Sequence, residues 1–81
     1  MRYVHPEREY IRIEVRETLN GYGIFALNLH TNTFVEVTRN IANILDATLP
    51  EGFRSIHSTL KAAEKDLKSL AELNGWAELH G

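Results

Sequence analysis

The spacing of apolar residues changes once along this chain, near Thr38, and that change constrains the fold more than any other feature. Before Thr38 apolar residues alternate with polar ones, as in Ile11, Ile13 and Val15. After it they recur every three or four residues, most regularly in Phe53, Ile56, Leu60, Ala63, Leu67 and Leu70. Strands bury alternate residues, whereas helices bury every third or fourth. The sequence therefore predicts an α+β fold in which the strands precede the helices.

Turn and cap signals divide the chain into elements. We expect a three-stranded antiparallel β-meander followed by a short and a long α-helix packed on one sheet face (βββαα). The predicted strands lie at about 9–18, 22–30 and 34–38, the helices at about 40–48 and 51–73, and a tail at 76–81. At this length, residues 1–81 are expected to form a single small domain.

Three local signals set the predicted helix ends. Thr38 or Asn40 would cap the short helix. The segment Thr48-Leu49-Pro50-Glu51 fits a capping box at the start of the long helix, and Asn74-Gly75 is a typical helix stop.

The first two strands meet at Thr18-Leu19-Asn20-Gly21, the strongest turn signal in the chain. A two-residue Asn20-Gly21 turn would place Phe25 on the face opposite to Val15, because a slip of one residue reverses every side chain. A three-residue loop, Leu19-Asn20-Gly21, instead pairs Val15 with Phe25 and buries one continuous apolar face. We therefore expect a buried face that contains Ile11, Ile13, Val15, Phe25, Leu27, Leu29, Val35 and Val37.

The other sheet face is the first candidate for a functional surface. Alternation places on it Tyr10, Arg12, Glu14, Arg16, Ile24, Ala26, Asn28, His30, Phe34 and Glu36. Aromatic residues and arginines among scattered polar groups are typical of protein interfaces. We expect a partner protein to bind there, through Tyr10, Arg12, Arg16, His30, Phe34 and Glu36. One alternative is that unpaired bases of a nucleic acid stack on these aromatic residues. The other is that the tail, with Trp76 and Leu79, covers this face and makes it part of the core.

A basic stripe on the long helix suggests a second function. Its members, Arg54, Lys61, Lys65 and Lys68, fall within about 60° when projected at roughly 100° per residue. Such a stripe can follow the phosphates of a nucleic acid. However, Glu64 and Glu72 interrupt it, and the formal net charge of −2 lacks the basic excess of most phosphate-binding domains. An ordinary solvated helix face explains the stripe as well.

The regular apolar series of the long helix also matches a coiled-coil seam. The sheet needs the same stripe as its cover, so we favour packing within one chain. A homodimer, through this helix or through another surface, is the alternative, and it would make the chain a self-associating structural domain.

No catalytic, metal or cofactor site is predicted. The four histidines, at positions 5, 30, 57 and 80, lack the spacing of a metal site on one helix. Ser55-Ile56-His57-Ser58 places hydroxyl groups beside an imidazole, but without the context of a nucleophile. Gly21-Tyr22-Gly23 is not followed by the helix that a phosphate-binding loop requires. We therefore expect a non-enzymatic module without a cofactor.

The composition favours a cytoplasmic location. The chain has no cysteine, which fits a reducing compartment, and no apolar run long enough to cross a bilayer. We expect an adaptor, a regulatory subunit or a small inhibitor of the kind that mobile elements encode, with a protein partner and no membrane partner.

Overall fold

The computed structural model describes residues 1–80, in which two helices pack against one face of an antiparallel sheet. The elements are β1 (Arg2–His5), β2 (Arg8–Thr18), β3 (Gly21–Asn28), β4 (Thr33–Glu36), α1 (Arg39–Ile44), β5 (Ile56–His57), α2 (Leu60–Asn74) and β6 (Ala77–Leu79). The strand order is β4-β3-β2-β1-β6, and β5 pairs with the start of β3. The predicted α+β class and antiparallel sheet are confirmed, but the βββαα arrangement lacks three of these strands.

The β2–β3 hairpin has a shorter loop than the sequence predicts. Thr18 pairs with Gly21, so only Leu19 and Asn20 connect the two strands. Gly21 belongs to β3, where it passes directly against β5. A Cβ at this position would overlap the carbonyl oxygen of His57. The predicted three-residue loop is therefore wrong, and the glycine serves a close backbone approach.

This shorter loop changes which residues of β3 face the core. Val15 lies opposite Ile24, not Phe25. Ile24 and Ala26, predicted on the exposed face, are buried in the core. Phe25 and Leu27, predicted in the core, lie on the other face because a one-residue shift of register reverses the strand.

Two further members of the predicted buried set are exposed. Leu29 follows the end of β3, and Val35 lies on β4 at the edge of the sheet. Ile11, Ile13 and Val37 are buried as predicted.

Both ends of the described chain form strands that the sequence pattern did not indicate. β1 pairs with β2, and β6 pairs with β1, so the tail extends the sheet at its edge. The alternative in which the tail covers the exposed face is therefore wrong. Trp76, just before β6, is buried and lies 6.0 Å from the ring of His5. The Nε2 of His5 donates to the carbonyl of Leu45 at 2.7 Å, which ties β1 to the end of α1.

Helix α1 begins as predicted and ends early. The hydroxyl of Thr38 accepts a hydrogen bond from the amide of Ile41 at 3.3 Å and caps the helix. The helix ends at Ile44, four residues before its predicted end, and Asp46 then adopts a positive φ of 55°.

Helix α2 begins nine residues after its predicted start. Its cap is Thr59, whose hydroxyl accepts from the amide of Ala62, while residues 51–59 are not helical. The proposed capping box at residues 48–51 is therefore wrong. The helix ends at Asn74 as predicted, and Gly75 follows it in the left-handed conformation. Among residues 1–80, no helix is long and apolar enough to cross a membrane.

The core lies between the sheet and α2. Helix α2 buries Ala63, Leu67, Leu70 and Ala71, and the sheet contributes Tyr3, Ile11, Ile13, Ile24 and Ala26. Burial of these apolar side chains holds the helices on one face of the sheet.

Candidate functional site

Among residues 1–80 no helix covers the second face of the sheet, which we call the outer face. The cross-strand register arranges its side chains in rows. The central row runs through Ala77, Val4, Arg12, Leu27 and Phe34, and the adjacent row through Leu79, Arg2, Glu14, Phe25 and Glu36. Arg16 and Ile56 extend the outer face beyond the second row, at either side of Gly23.

An aromatic cluster lies at the β4 side of the outer face. The rings of Phe25 and Phe34 meet edge to face, with their centroids 5.5 Å apart. The guanidinium of Arg16 lies over the ring of Phe34, 4.4 Å from its centroid. Gly23 leaves room for the Phe25 ring, because a Cβ there would lie 2.6 Å from Cε2 of that ring. Phe34 still exposes 52% of its surface.

The charged groups of the outer face differ in their partners. Oε2 of Glu14 lies 3.9 Å from Nε of Arg16, and Oε2 of Glu36 accepts a hydrogen bond of 2.6 Å from the hydroxyl of Ser55. Arg12 instead donates to carbonyl groups of its own strand, at Glu9 and Ile11. It forms no ion pair with any of residues 1–80.

The structure separates the six predicted partner-binding residues into two groups. Four of them belong to the two rows or their extension and so share the outer face: Arg12, Arg16, Phe34 and Glu36. The other two, Tyr10 and His30, form a separate pair at the open end of the β2–β3 hairpin, opposite its loop. Their rings stack 4.3 Å apart, with an interplanar angle of 12°, and Tyr10 also packs against the core.

Sequence reasoning missed seven members of the outer face, namely Arg2, Val4, Phe25, Leu27, Ile56, Ala77 and Leu79. Val4 and Ile56 belong to strands too short for a periodic signal. The segment from Ile24 to Leu27 is apolar at every position, so alternation alone gives no preferred face for β3. Gly23, opposite Arg16, was the available signal, because a glycine within a strand often leaves space for a neighbouring group.

The predicted basic stripe is shorter than expected. Lys61, Lys65 and Lys68 are exposed on α2. Arg54 lies before the helix, and its backbone amide donates to Oδ2 of Asp66 at 3.0 Å. Arg54 is thus placed in a loop that is fastened to the helix, and only the three lysines share the helix surface.

A polar cluster of His57, Asp66 and the carbonyl group of Arg54 joins that loop to α2. Nε2 of His57 lies 3.0 Å from Oδ2 of Asp66 and 2.8 Å from the carbonyl oxygen of Arg54. The hydroxyl of Ser55 donates to Glu36 and not to the imidazole. This geometry fixes the position of the loop and does not pair a nucleophile with a base.

The comparisons with known proteins give no further guidance. Within the described residues, no group of three or more His, Asp and Glu side chains could hold a metal ion. No protein-family model, curated protein or solved structure matches this chain. The function must therefore be inferred from the outer face and its chemistry.

Proposed function

We propose that this chain is a non-enzymatic protein-binding module of the cytoplasm, such as an adaptor, a regulatory subunit or a small inhibitor, and that its outer face binds the partner. One observation carries the proposal: an aromatic cluster with a half-exposed Phe34, bordered by arginines, on a sheet face that no helix of residues 1–80 covers. Aromatic residues and arginines supply most hot spots of protein interfaces, where apolar burial and directed hydrogen bonds act together.

The geometry of the cluster favours a protein over a nucleic acid on this face. A base stacks on an open aromatic ring, and here Arg16 already lies over Phe34 while Phe25 meets it edge to face. With Glu14 and Glu36 beside Arg2, Arg12 and Arg16, the outer face also lacks the large basic excess of surfaces that bind a phosphate backbone.

The test is affinity capture with matched variants of the full chain, after nuclease treatment. Phe34→Ser removes the exposed ring, and Ile44→Ser removes an apolar side chain of α1 that is 66% exposed and lies away from the outer face. We expect the wild type and Ile44→Ser to retain the same partner and Phe34→Ser to lose it, with similar melting temperatures. Equal capture by all three proteins would contradict the proposal.

A second candidate function is binding of a nucleic acid through α2. The observation that favours it is that Lys61, Lys65 and Lys68 are all exposed and form no ion pair within residues 1–80. Affinity should then fall steeply as salt increases. Retardation of DNA or RNA at low salt that disappears when all three lysines are changed to Gln supports this function, and no retardation by the wild type removes it.

A further inference from the structure

Arg12 occupies the middle of the outer face and defines the kind of partner that can cover it. In the central row its neighbours are Val4 on β1 and Leu27 on β3, with Phe34 beyond. Arg12 is itself half-buried, and within residues 1–80 its guanidinium bonds only to backbone carbonyl groups of its own strand. A partner that buries this row must therefore satisfy the charge of Arg12, because a buried unpaired cation is strongly unfavourable.

The outer face is positive although the whole chain is negative. It carries Arg2, Arg12 and Arg16 against Glu14 and Glu36, whereas the chain has a formal net charge of −2. Both carboxylates already have partners, in Arg16 and Ser55. A partner therefore complements this face with a carboxylate of its own, which can accept two parallel hydrogen bonds from a guanidinium.

A second copy of the chain complements this face poorly. Two copies that pack through their outer faces about a two-fold axis would repeat the same surface patch on both sides. Such an axis near the centre of the face brings Arg12 close to its own copy, and like charges repel there. The two carboxylates that could compensate would first have to leave Arg16 and Ser55.

The sheet face itself favours a helix as the covering element. Added strands join a sheet at its edges through backbone hydrogen bonds, whereas an apolar sheet face is covered by a helix or a second sheet. Neighbouring side chains of the central row are one strand spacing apart, so the apolar stripe of one amphipathic helix can lie along this row.

We infer that the outer face binds an amphipathic helix of another protein, an inference that rests on the proposed function. This helix carries an Asp or Glu within its apolar stripe, and the acidic side chain pairs with Arg12. The apolar side chains of the stripe pack on Val4, Leu27 and Phe34, and the carboxylate accepts hydrogen bonds from the guanidinium.

A library of displayed amphipathic helices tests this inference. The central position of the apolar stripe is varied among Asp, Glu, Asn, Gln, Lys, Arg and Leu, and helices are selected for binding to the full chain and against binding to Phe34→Ser. We expect selected helices to carry Asp or Glu at that position. Their affinity should fall at least about 30-fold for Arg12→Gln, as for truncation of a buried charge pair. Arg12→Lys should give an intermediate loss, because it keeps the charge without the planar fork.

Arg39→Gln is the matched control, since Arg39 is an exposed arginine on α1, which packs on the other face of the sheet. Its effect should remain below about fivefold, as for other exposed charges. Selected helices with neutral or basic central residues, or with equal affinity for Arg12→Gln, overturn the acidic helix and leave the binding face in place. A library without any binder sensitive to Phe34→Ser overturns the helix inference, whereas the proposed function is decided separately by the capture experiment with Phe34→Ser. Self-association of the wild type that Arg12→Gln strengthens, because the like charges at the two-fold axis are removed, would instead identify a second copy as the occupant and overturn the inference.

Discussion

At the scale of single residues, the buried polar groups of this protein have defined partners. Within residues 1–80, no buried side-chain nitrogen or oxygen lacks a hydrogen-bond partner. His5 illustrates the arrangement, because Nε2 donates to the carbonyl of Leu45 and Nδ1 accepts from the amide of Glu7. These two bonds fix the ring as the neutral tautomer with its proton on Nε2. His5, the one buried polar residue among residues 1–80, therefore also fixes the end of α1 against β1.

Tyr3 should make stability fall at alkaline pH. Burial, and then the nearby carboxylates of Glu78 and Glu72, raise the pKa of Tyr3 above its ordinary value of 10.0. As the pH rises above that value, the unfolded chain loses the tyrosine proton before the folded chain does. The free energy of unfolding therefore decreases through this range, and the contribution is fully present only below it.

Urea unfolding of the wild type, Tyr3→Phe and Glu78→Gln between pH 8 and pH 11 measures this effect. Tyr3→Phe should show the weakest decline in stability and Glu78→Gln an intermediate one. Identical pH profiles for the wild type and Tyr3→Phe would show that the hydroxyl does not contribute.

Gly21 should tolerate no larger side chain, because β5 passes so close to it. A Cβ there would overlap the carbonyl oxygen of His57 and lie 3.3 Å from Cα of Ser58. Both are backbone atoms and cannot rotate away, so we expect Gly21→Ala to lower the free energy of unfolding by about 2–3 kcal/mol. Gly52→Ala is the control, because Gly52 has a positive φ of 76° but no atom within 4 Å of the added carbon. It should cost about 1 kcal/mol, from backbone strain alone. Equal losses in chemical denaturation would argue against the close contact.

At the scale of elements, the sequence predicts best those strands and helices whose hydrophobic pattern is long and alternates clearly between apolar and polar residues. Strand β2 alternates cleanly over many residues, and α2 repeats over four turns, so both were predicted from the sequence. Strands β1, β5 and β6 contain two to four residues, and pairing with distant strands determines their conformation. A pattern of two to four residues has no reliable period. For the same reason the sequence pattern predicts residues 51–59 as part of the long helix, although they contain the two-residue strand β5.

Asp66 should hold the loop before α2 in place. Its Oδ2 lies 3.0 Å from both the amide nitrogen of Arg54 and Nε2 of His57. Asp66→Asn weakens both charge-assisted bonds while conserving volume, and we expect it to lower the free energy of unfolding by about 1–2 kcal/mol. Amide hydrogen exchange at Arg54 should also become faster, because the loop opens more often.

Asp46→Asn is the matched control for this prediction. Asp46 pairs with Arg8 at 3.0 Å, but its side chain is largely exposed, and exposed pairs contribute little. We expect a change below about 0.5 kcal/mol, since asparagine also tolerates the positive φ at this position. If both asparagine variants have the same stability and the same exchange at Arg54, Asp66 does not hold the loop.

At the scale of the whole molecule, the candidate site depends on which face of β3 packs against the helices. Arg12 and Arg16 could be placed on the outer face from the sequence because β2 alternates cleanly, and Phe34 and Glu36 because they alternate with Val35 and Val37. Strand β3 offers apolar side chains on both faces, so its orientation is decided by the hairpin loop and by the contact of Gly21 with β5. That contact involves residues 36 positions apart, which local patterns do not report.

A pair of alanine substitutions on β3 separates the two registers. Ile24 is fully buried beneath the helices, so Ile24→Ala should lower the free energy of unfolding by about 2–5 kcal/mol through lost burial and the cavity that remains. Leu27 is only half-buried on the outer face, and Leu27→Ala should cost about 1 kcal/mol. Chemical denaturation of both variants gives the comparison. The three-residue loop predicted from the sequence requires the opposite order, because it buries Leu27 and exposes Ile24. A larger loss for Leu27→Ala would therefore return Phe25 and Leu27 to the core and remove the apolar centre of the proposed binding face.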